Sequence, residues 1–248
     1  MPSEELKGIF RSLRLYYGDA DRCAAMDRLY GTFLKPGDLA FDIGAHVGDR
    51  IASFRRCGAR VVALEPQALA LRVLKLLYGQ DRHVEIKAAA CAAKYGTVKL
   101  LVNTANPTVT TASRAFTRAA QGAVGWEDQI WDAEIDVPSF SLDSLIADYG
   151  LPQFVKIDVE GFEADVLRGL SHPVPALSFE FTTIQREIAG DCLDLIQQLG
   201  RYAFNASFGE NQRLEFNEPC NLNEMHTFIK ELPQKANSGD IYAVRLED

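Results

Sequence analysis

Short apolar runs alternate with segments of helical periodicity along most of this chain, and this alternation limits its fold more than any other feature. Residues 39–43, 61–64 and 84–86 are runs of strand length, and a helical pattern follows each of the first two. A strand, a helix and a second strand form a βαβ unit, and repeated units build a mainly parallel sheet. Ligands bind such sheets at the carboxyl ends of the strands, near the point where the strand order reverses. The pattern therefore predicts a doubly wound α/β fold with a site at that edge.

The rest of the chain repeats this alternation, with one interruption. Two helices are predicted at its beginning, over residues 3–17 with Ser3 as N-cap and over residues 19–33. Further strands are predicted at 97–102, 135–137, 154–157, 177–181, 202–208 and 241–246, and further helices at 66–78, 142–148, 162–170 and 185–199. Residues 104–134 break the pattern, because this segment is rich in Thr, Ala and Gly and carries both tryptophans. Long segments of this kind are typical of functional lids and mobile loops.

Length and composition indicate an ordinary globular protein. The 248 residues suit one domain over residues 1–248, with an N-terminal helical extension at 1–34 and the alternating α/β core at 35–248. The net charge of −8 provides no general attraction to nucleic acid, so no nucleic-acid partner is expected. No apolar run is long enough for a membrane span. Five widely spaced cysteines without a Cys-x-x-Cys pair fit reduced thiols, which predicts a cytoplasmic protein.

The first motif is Asp42-Ile43-Gly44-Ala45-His46-Val47-Gly48-Asp49, which lies between a strand and a helix. Gly44 and Gly48 allow a tight turn and a close approach of the backbone to a ligand. Asp42, at the end of the strand, can accept a hydrogen bond from a ligand's amino group. The spacing is Gly-x-x-x-Gly, so the pyrophosphate-binding fingerprint Gly-x-Gly-x-x-Gly is absent. A tight turn that binds no ligand is the alternative interpretation.

The second motif is Glu65-Pro66, at the end of the next strand and 23 positions after Asp42. A carboxylate at this point of a βαβ unit reaches the two hydroxyls of a ribose. Pro66 suits the first turn of the helix that follows. The alternative is that Glu65 is an ordinary acidic residue at the beginning of a helix.

The third motif is Val155-Lys156-Ile157-Asp158-Val159-Glu160-Gly161-Phe162-Glu163. A buried strand brings Asp158 and Glu160 to its carboxyl end, where both can face the cleft. Such carboxylates can accept a proton from a substrate or bind a divalent cation. The alternative is helix capping by Glu160 and Glu163.

Together, the segments DIGAHVGD, VVALEP and FVKIDVEGFEADVLRGL resemble the FkbM-type S-adenosylmethionine-dependent methyltransferases. The resemblance extends over residues 35–182, and the last segment is its most specific part. It implies a Rossmann-like class I methyltransferase fold, with a mostly parallel seven-stranded sheet whose last strand is antiparallel. It also implies methyl transfer from S-adenosylmethionine, usually to a hydroxyl oxygen.

The resemblance assigns roles to individual residues. Asp42 and the loop Gly44, Ala45, His46, Val47 and Gly48 would hold the methionine part of the cofactor. Glu65 and Pro66 would lie at the ribose, the backbone near Ala89 at the adenine, and Asp158 near the donor methyl group. The Thr-rich stretch at 110–113 falls where related proteins approach the cofactor. Two features depart from the family, because His46 replaces the more common Asn and residues 88–91 include no acid for the adenine amino group.

A hydroxyl acceptor must lose its proton during the transfer, which requires a base. The candidates are Asp158, Glu160 and Glu180, the last on a strand expected to lie beside that of Asp158. His46 is a further candidate, but a loop histidine that bonds to the backbone is the favoured interpretation. Three carboxylates could bind a magnesium ion. Nothing in the sequence requires one, however, and no metal is predicted.

The predicted function is therefore O-methylation of a small or medium-sized hydroxylated molecule, such as a metabolite, sugar or glycolipid. An NAD-dependent dehydrogenase is a rival that the missing glycine fingerprint disfavours. A non-catalytic cofactor-binding protein of the same fold is a second rival. The identity of the acceptor is open, and so is the choice between a monomer and a homo-oligomer.

Overall fold

The computed structural model describes residues 3–247, which form nine α-helices and ten strands. The helices are α1 (Glu4–Tyr17), α2 (Ala20–Tyr30), α3 (Asp49–Arg56), α4 (Ala68–Tyr78), α5 (Arg114–Ala120), α6 (Leu142–Tyr149), α7 (Glu163–Leu167), α8 (Arg186–Leu199) and α9 (Leu222–Glu231). The strands are β1 (Leu39–Ile43), β2 (Arg60–Leu64), β3 (Val84–Lys87), β4 (Ala90–Cys91), β5 (Gly96–Val102), β6 (Ala133–Phe140), β7 (Phe154–Ile157), β8 (Ala176–Thr182), β9 (Tyr202–Phe208) and β10 (Ser238–Arg245). Within this described part of the chain, no helix is both long and apolar enough to cross a bilayer.

Seven of the strands form the main sheet, in the order β3-β2-β1-β7-β8-β10-β9. β10 is antiparallel to both of its neighbours, β8 and β9, and the other pairs are parallel. The predicted doubly wound sheet with an antiparallel last strand is therefore confirmed. The strand order reverses between β1 and β7, which places a crevice at their carboxyl ends.

The two strands at this reversal are buried throughout. All five residues of β1 and all four of β7 are buried, because helices cover both faces of the sheet. Phe41 faces the core that includes Leu193 of α8, whereas Ala40 faces the core that includes Phe54 of α3. Since neither strand can shift along its neighbours without exposing apolar side chains, the residues that follow them are held at fixed positions.

The N-terminal helices lie where the sequence predicts them. Ser3 caps α1 through a 3.3 Å bond from the backbone N–H of Leu6, and Asp19 caps α2 through a 2.9 Å bond from Arg22. The helix expected from Pro66 begins at Ala68, and the one expected to end at 170 ends at Leu167.

A second, three-stranded sheet has the order β4-β6-β5, and the sequence did not separate it from the main sheet. Helix α9 was also missed, although Asn221 and Glu224 form a capping box at its beginning.

The segment 104–134 has more internal structure than expected. It contains a 3₁₀-helix at Pro107–Val109 and the whole of α5. Phe116 and Trp126 are buried in a small apolar cluster, and the indole N–H of Trp131 donates to the carbonyl of Val109 at 2.8 Å. The tryptophans therefore hold this segment together and pack it over the carboxyl end of the sheet.

Candidate active site

A cavity opens at the carboxyl ends of β1, β2 and β7, and its empty volume, with the solvent at its mouth included, is about 880 Å³. The register of the strands explains its position: Ile43 pairs with Leu64 of β2 and with Ile157 of β7. Glu65 and Asp158 directly follow these partners, so the three predicted motifs meet at one edge. The predicted site residues that line the cavity are Asp42, Gly44, Ala45, His46, Glu65, Pro66, Ala89, Asp158 and Glu160.

Gly44 has a φ of +87°, and its position has no room for a side chain. A Cβ there would lie 1.8 Å from the carbonyl oxygen of Asp158. The turn after β1 therefore comes into direct contact with the turn after β7, and only glycine allows this approach. Val47 and Gly48 lie behind the cavity wall: Val47 packs with Ile9 of α1, and Gly48 lies against α4.

Asp42 presents a buried carboxylate whose two oxygens have no hydrogen-bond partner within residues 3–247. Burial, reinforced by the negative charge of Asp49, raises the pKa of Asp42 to about 7. A buried polar group without a partner is costly, and on a cavity wall it is ready to bind a ligand's donor. A cationic amino group suits this position best.

Glu65 is fixed by two backbone N–H groups. His46 donates to one carboxylate oxygen at 2.8 Å, and Gln67 donates to the other at 2.7 Å. Burial raises the pKa of Glu65 to about 7, although these two bonds oppose the shift. Each oxygen keeps a lone pair, so the carboxylate can accept two further bonds from a diol.

His46 bonds to a side chain rather than to the backbone, so the favoured interpretation is wrong on this point. Its Nε2 lies 2.8 Å from the hydroxyl of Ser12 on α1, and its ring meets that of Tyr16 edge to face. Burial lowers the pKa of His46 to about 4, which keeps the ring neutral near pH 7. The histidine therefore joins the loop after β1 to the N-terminal helix.

Three carboxylates converge beyond the end of β7. Asp158, Glu160 and Glu180 each direct an oxygen to within 4.8 Å of the others. Glu160 has a φ of +56°, and its side chain is buried. Burial first, and the neighbouring acids second, raise the pKa values of Glu160 and Glu180 well above the usual range.

Glu163 lies in the first turn of α7, as the capping alternative expects, but no side-chain hydrogen bond caps this helix. The carboxylate of Glu163 accepts from the N–H groups of Val159 and Gly161, which precede the helix, and the Oε2 atom of Glu160 has no partner in the described residues. Glu180 lies behind the cavity wall, in a pocket of about 210 Å³ next to Gly161.

A buried lysine lies beside the three acids. Lys156 is fully buried, and its Nζ lies 2.6 Å from Asp240 on β10 and 3.1 Å from Asp158. Lys156 belongs to the third sequence motif. Its partner Asp240 lies 84 positions later in the chain, so the sequence alone did not predict that they form an ion pair.

Several cavity residues escaped the sequence analysis. Tyr16, Arg50 and Glu210 line the same cavity but come from α1, α3 and the loop after β9. Asp49 accepts from Arg22 at 2.7 Å and from Arg50 at 2.6 Å, and both guanidinium groups also contact Glu210. Asp49 and Arg50 directly follow Gly48 of the first motif, so their position in the sequence could have predicted that they lie near the cavity. No sequence pattern indicates this for Tyr16 or Glu210.

The Thr-rich stretch also reaches the cavity. Thr110 and Ala112 line it, and the hydroxyl of Thr110 lies 3.0 Å from the side-chain oxygen of Gln67. Thr111 donates to the carbonyl of Glu160 at 2.6 Å. The segment 104–134 thus forms one wall of the cavity.

Comparison with known proteins gives a family and a set of similar structures. The model of the Methyltransferase FkbM domain matches residues 42–206, which is more than half of the chain. A search of curated protein sequences finds no match.

Among solved structures, the chain is similar to a TehB-like SAM-dependent methyltransferase from Corynebacterium glutamicum, with 10% identity, 96% and 94% of the two chains covered and a TM-score of 0.48. It is similar to an O-methyltransferase from Bacillus cereus in complex with SAH, with 11% identity, 97% and 91% covered and a TM-score of 0.44. It is also similar to a precorrin-6Y C5,15-methyltransferase from Geobacter metallireducens, with 14% identity, 91% and 87% covered and a TM-score of 0.43.

Proposed function

This chain belongs to the FkbM methyltransferase family, and from that membership we propose that it transfers a methyl group from S-adenosylmethionine to a hydroxyl oxygen of a small or medium-sized acceptor. The observation that carries the proposal is the common cavity of Asp42 and Glu65. Asp42 lies near the end of β1, and Glu65 directly follows the neighbouring strand β2. Two carboxylates in this arrangement suit a ligand that carries an amino group and a ribose.

The residues of the cavity fit this cofactor. The unpartnered carboxylate of Asp42 suits the ammonium group of the methionine part. Glu65, held by His46 and Gln67, suits the ribose diol. Ala89, Cys91 and Leu100 offer an apolar wall for the adenine, in place of the missing acid. When bound, S-adenosylmethionine supplies an electrophilic methyl group on a sulfonium centre.

The chain's own residues must then place the acceptor oxygen and remove its proton. Asp158 is the best placed base, because it lines the cavity and its side chain is 32% exposed. Lys156, at 3.1 Å, holds this carboxylate in position. Glu160 lines the cavity beside it, and Glu180 stands behind both as a third acid. An accurate alignment of acceptor and donor is the larger part of the rate enhancement.

Calorimetry with S-adenosylhomocysteine and with NAD⁺ tests the cofactor. We expect one molecule of S-adenosylhomocysteine to bind per chain and NAD⁺ not to bind. The reverse result would support the dehydrogenase and overturn the proposal.

A panel of hydroxylated acceptors, including sugars, glycolipids and polyketides, tests the reaction with isotope-labelled S-adenosylmethionine. We expect a labelled methyl ether, and we expect the Asp158→Asn variant to bind cofactor but form the ether at least tenfold more slowly. Full activity in that variant would assign the base to another residue. Cofactor binding without transfer to any acceptor of the panel would favour the non-catalytic alternative.

A further inference from the structure

Charge is unbalanced around the three acids beyond β7. Asp158, Glu160 and Glu180 converge within 4.8 Å, and Asp240 lies on the other side of Lys156. Lys156 is the cation that contacts this group, and it is bound to Asp158 and Asp240. No ion pair to Glu160 or Glu180 occurs in residues 3–247, so two carboxylates are left without a counter-charge.

The side chain of Glu160 adds an observation that does not depend on the grouping of acids. Only 7% of Glu160 is exposed, and its Oε2 has no hydrogen-bond partner in the described chain. The Oε2 atom of Glu180 is also buried and has no hydrogen-bond partner among the described residues. Buried carboxylate oxygens are almost always satisfied by a donor or a cation, so these atoms indicate a missing partner.

The backbone reinforces this placement. Glu160 adopts a φ of +56°, a conformation that side-chain-bearing residues rarely take. Thr111 holds the strained peptide through a 2.6 Å bond to the Glu160 carbonyl. A residue held in this way next to a cavity is more typical of a binding site than of a simple turn.

We propose that Asp158, Glu160 and Glu180 bind one divalent cation of the hard type, Mg²⁺, Mn²⁺ or Ca²⁺. All three side chains offer oxygen, the ligand atom that these ions select, and no thiol or imidazole is part of the group. Ligand oxygens on opposite sides of such an ion lie about 4–5 Å apart, which agrees with the observed limit of 4.8 Å. The proposal departs from the metal-free site expected from sequence.

This cation would lie at the inner end of the cavity. Asp158 and Glu160 both line the cavity, whereas Glu180 closes the site from behind. Oδ2 of Asp158 contacts Lys156, which leaves the other oxygen of this carboxylate to bind the ion or, in the proposed reaction, to accept the proton of the acceptor. The ion adds the counter-charge that Lys156 alone does not provide.

The test uses MnCl₂, whose paramagnetic ion is counted directly by electron paramagnetic resonance. The full chain is treated with EDTA, exchanged into chelator-free buffer and titrated with the salt. We expect one bound ion per chain, a higher melting temperature with Mn²⁺ and competition by MgCl₂. Glu160→Gln should weaken Mn²⁺ binding at least tenfold. Glu134→Gln is the matched control, because it removes the same charge from an exposed cluster and should leave binding unchanged.

Each other outcome overturns the proposal. The absence of stoichiometric binding to the folded wild-type chain would mean that Glu160 and Glu180 hold protons instead. Binding that survives in both Glu160→Gln and Glu180→Gln would locate the ion elsewhere, and Glu180→Gln serves as the test variant if Glu160→Gln does not fold. Binding of S-adenosylhomocysteine by the EDTA-treated sample tests the proposed function separately, because that ligand does not require the ion.

Discussion

Single carboxylates give the most direct tests, and Glu65 is the first. We expect Glu65→Ala to weaken binding of S-adenosylhomocysteine by about 1–3 kcal/mol, because charge-assisted hydrogen bonds to the ribose are lost. Calorimetry measures the change. Glu85→Ala is the control, since Glu85 is an exposed acid on the neighbouring strand that does not line the cavity. Equal affinities of wild type and Glu65→Ala, in a folded variant, would remove the ribose role.

We expect the titration of Asp42 and Glu65 to make cofactor binding dependent on pH. The pKa of each is raised to about 7 by burial, so both take up protons as the pH falls through neutrality. Since the ligand's donors need the ionised acids, we expect affinity for S-adenosylhomocysteine to fall between pH 8 and pH 6. Calorimetry at these pH values should show a smaller fall for Glu65→Gln. An affinity that does not change with pH would contradict this assignment.

The same two acids make the stability of the unliganded chain depend on pH, with the opposite sign: stability is greater at low pH, where cofactor affinity is lower. Their pKa values are higher in the folded than in the unfolded chain, so the folded state holds protons more tightly. The contribution of these groups to stability is therefore greatest at acid pH and decreases as the pH rises from about 4 to 7. A bound cofactor should offset this loss.

Position in the sequence was enough to bring Asp42, Glu65 and Asp158 to one cavity. Each directly follows or ends a buried parallel strand, and the register of such strands leaves little freedom. The sequence did not predict that His46 contacts Ser12, because this contact depends on how α1 packs against the core. The same applies to Lys156 and Asp240, which meet only through strand pairing.

Helix α1 contributes Tyr16 to the wall of the cavity, and Gly8 lets this helix pack closely against residues 107–109. A Cβ at Gly8 would lie 2.5 Å from Cδ of Pro107 in the 3₁₀-helix of segment 104–134. We expect Gly8→Ala to move α1, to lower the free energy of unfolding by about 1–3 kcal/mol, and to weaken S-adenosylhomocysteine binding as Ser12 and Tyr16 are displaced. Chemical denaturation and calorimetry measure the two effects.

Gly190→Ala in α8 is the matched control for this element. Its added Cβ would lie 3.6 Å from His226, an ordinary contact, so the better helix propensity of alanine should stabilise the chain by about 0.5–1 kcal/mol. If Gly8→Ala and Gly190→Ala have the same stability and the same affinity for S-adenosylhomocysteine, the contact between α1 and Pro107 is not needed to hold the cavity residues in place.

Periodicity predicted most elements that carry one strong apolar face or lie at the centre of the sheet, but it missed α9, which buries Met225 and Ile229 on such a face. It failed for α5, which is only seven residues long and is stabilised by Trp126 and Phe116 rather than by its own pattern. It also failed to separate β4, β5 and β6 into their own sheet, because pairing partners cannot be read from the apolar pattern of single strands.

An ion network connects distant parts of the molecule. Asp49 of α3 holds Arg50 and also Arg22 of α2, and both arginines contact Glu210 after β9. We expect Asp49→Asn to lower the free energy of unfolding by about 3 kcal/mol, because buried guanidinium groups lose a counter-charge. Asp21→Asn, an exposed change on α2, is the control.

The stability that this network contributes should decrease as the pH falls. Burial alone would raise the pKa of Asp49, but Arg50 and Arg22 outweigh it and lower the pKa. The stability from Asp49 is thus present at neutral pH and lost in acid, so wild type and Asp49→Asn should converge below about pH 4. Urea denaturation across the acid range checks this. A constant difference down to pH 3 would exclude the ion pairs as its source.

The place of β10 between β8 and β9 has a consequence for biosynthesis. β9 has no partner in the main sheet until residues 238–245 leave the ribosome, and Lys156 meets one of its two anions only then. Residues 238–245 must therefore be synthesised before the acidic end of the cavity can assemble. A fragment of residues 1–237 is expected to remain sensitive to limited proteolysis, and a resistant fragment would show that this region forms without β10.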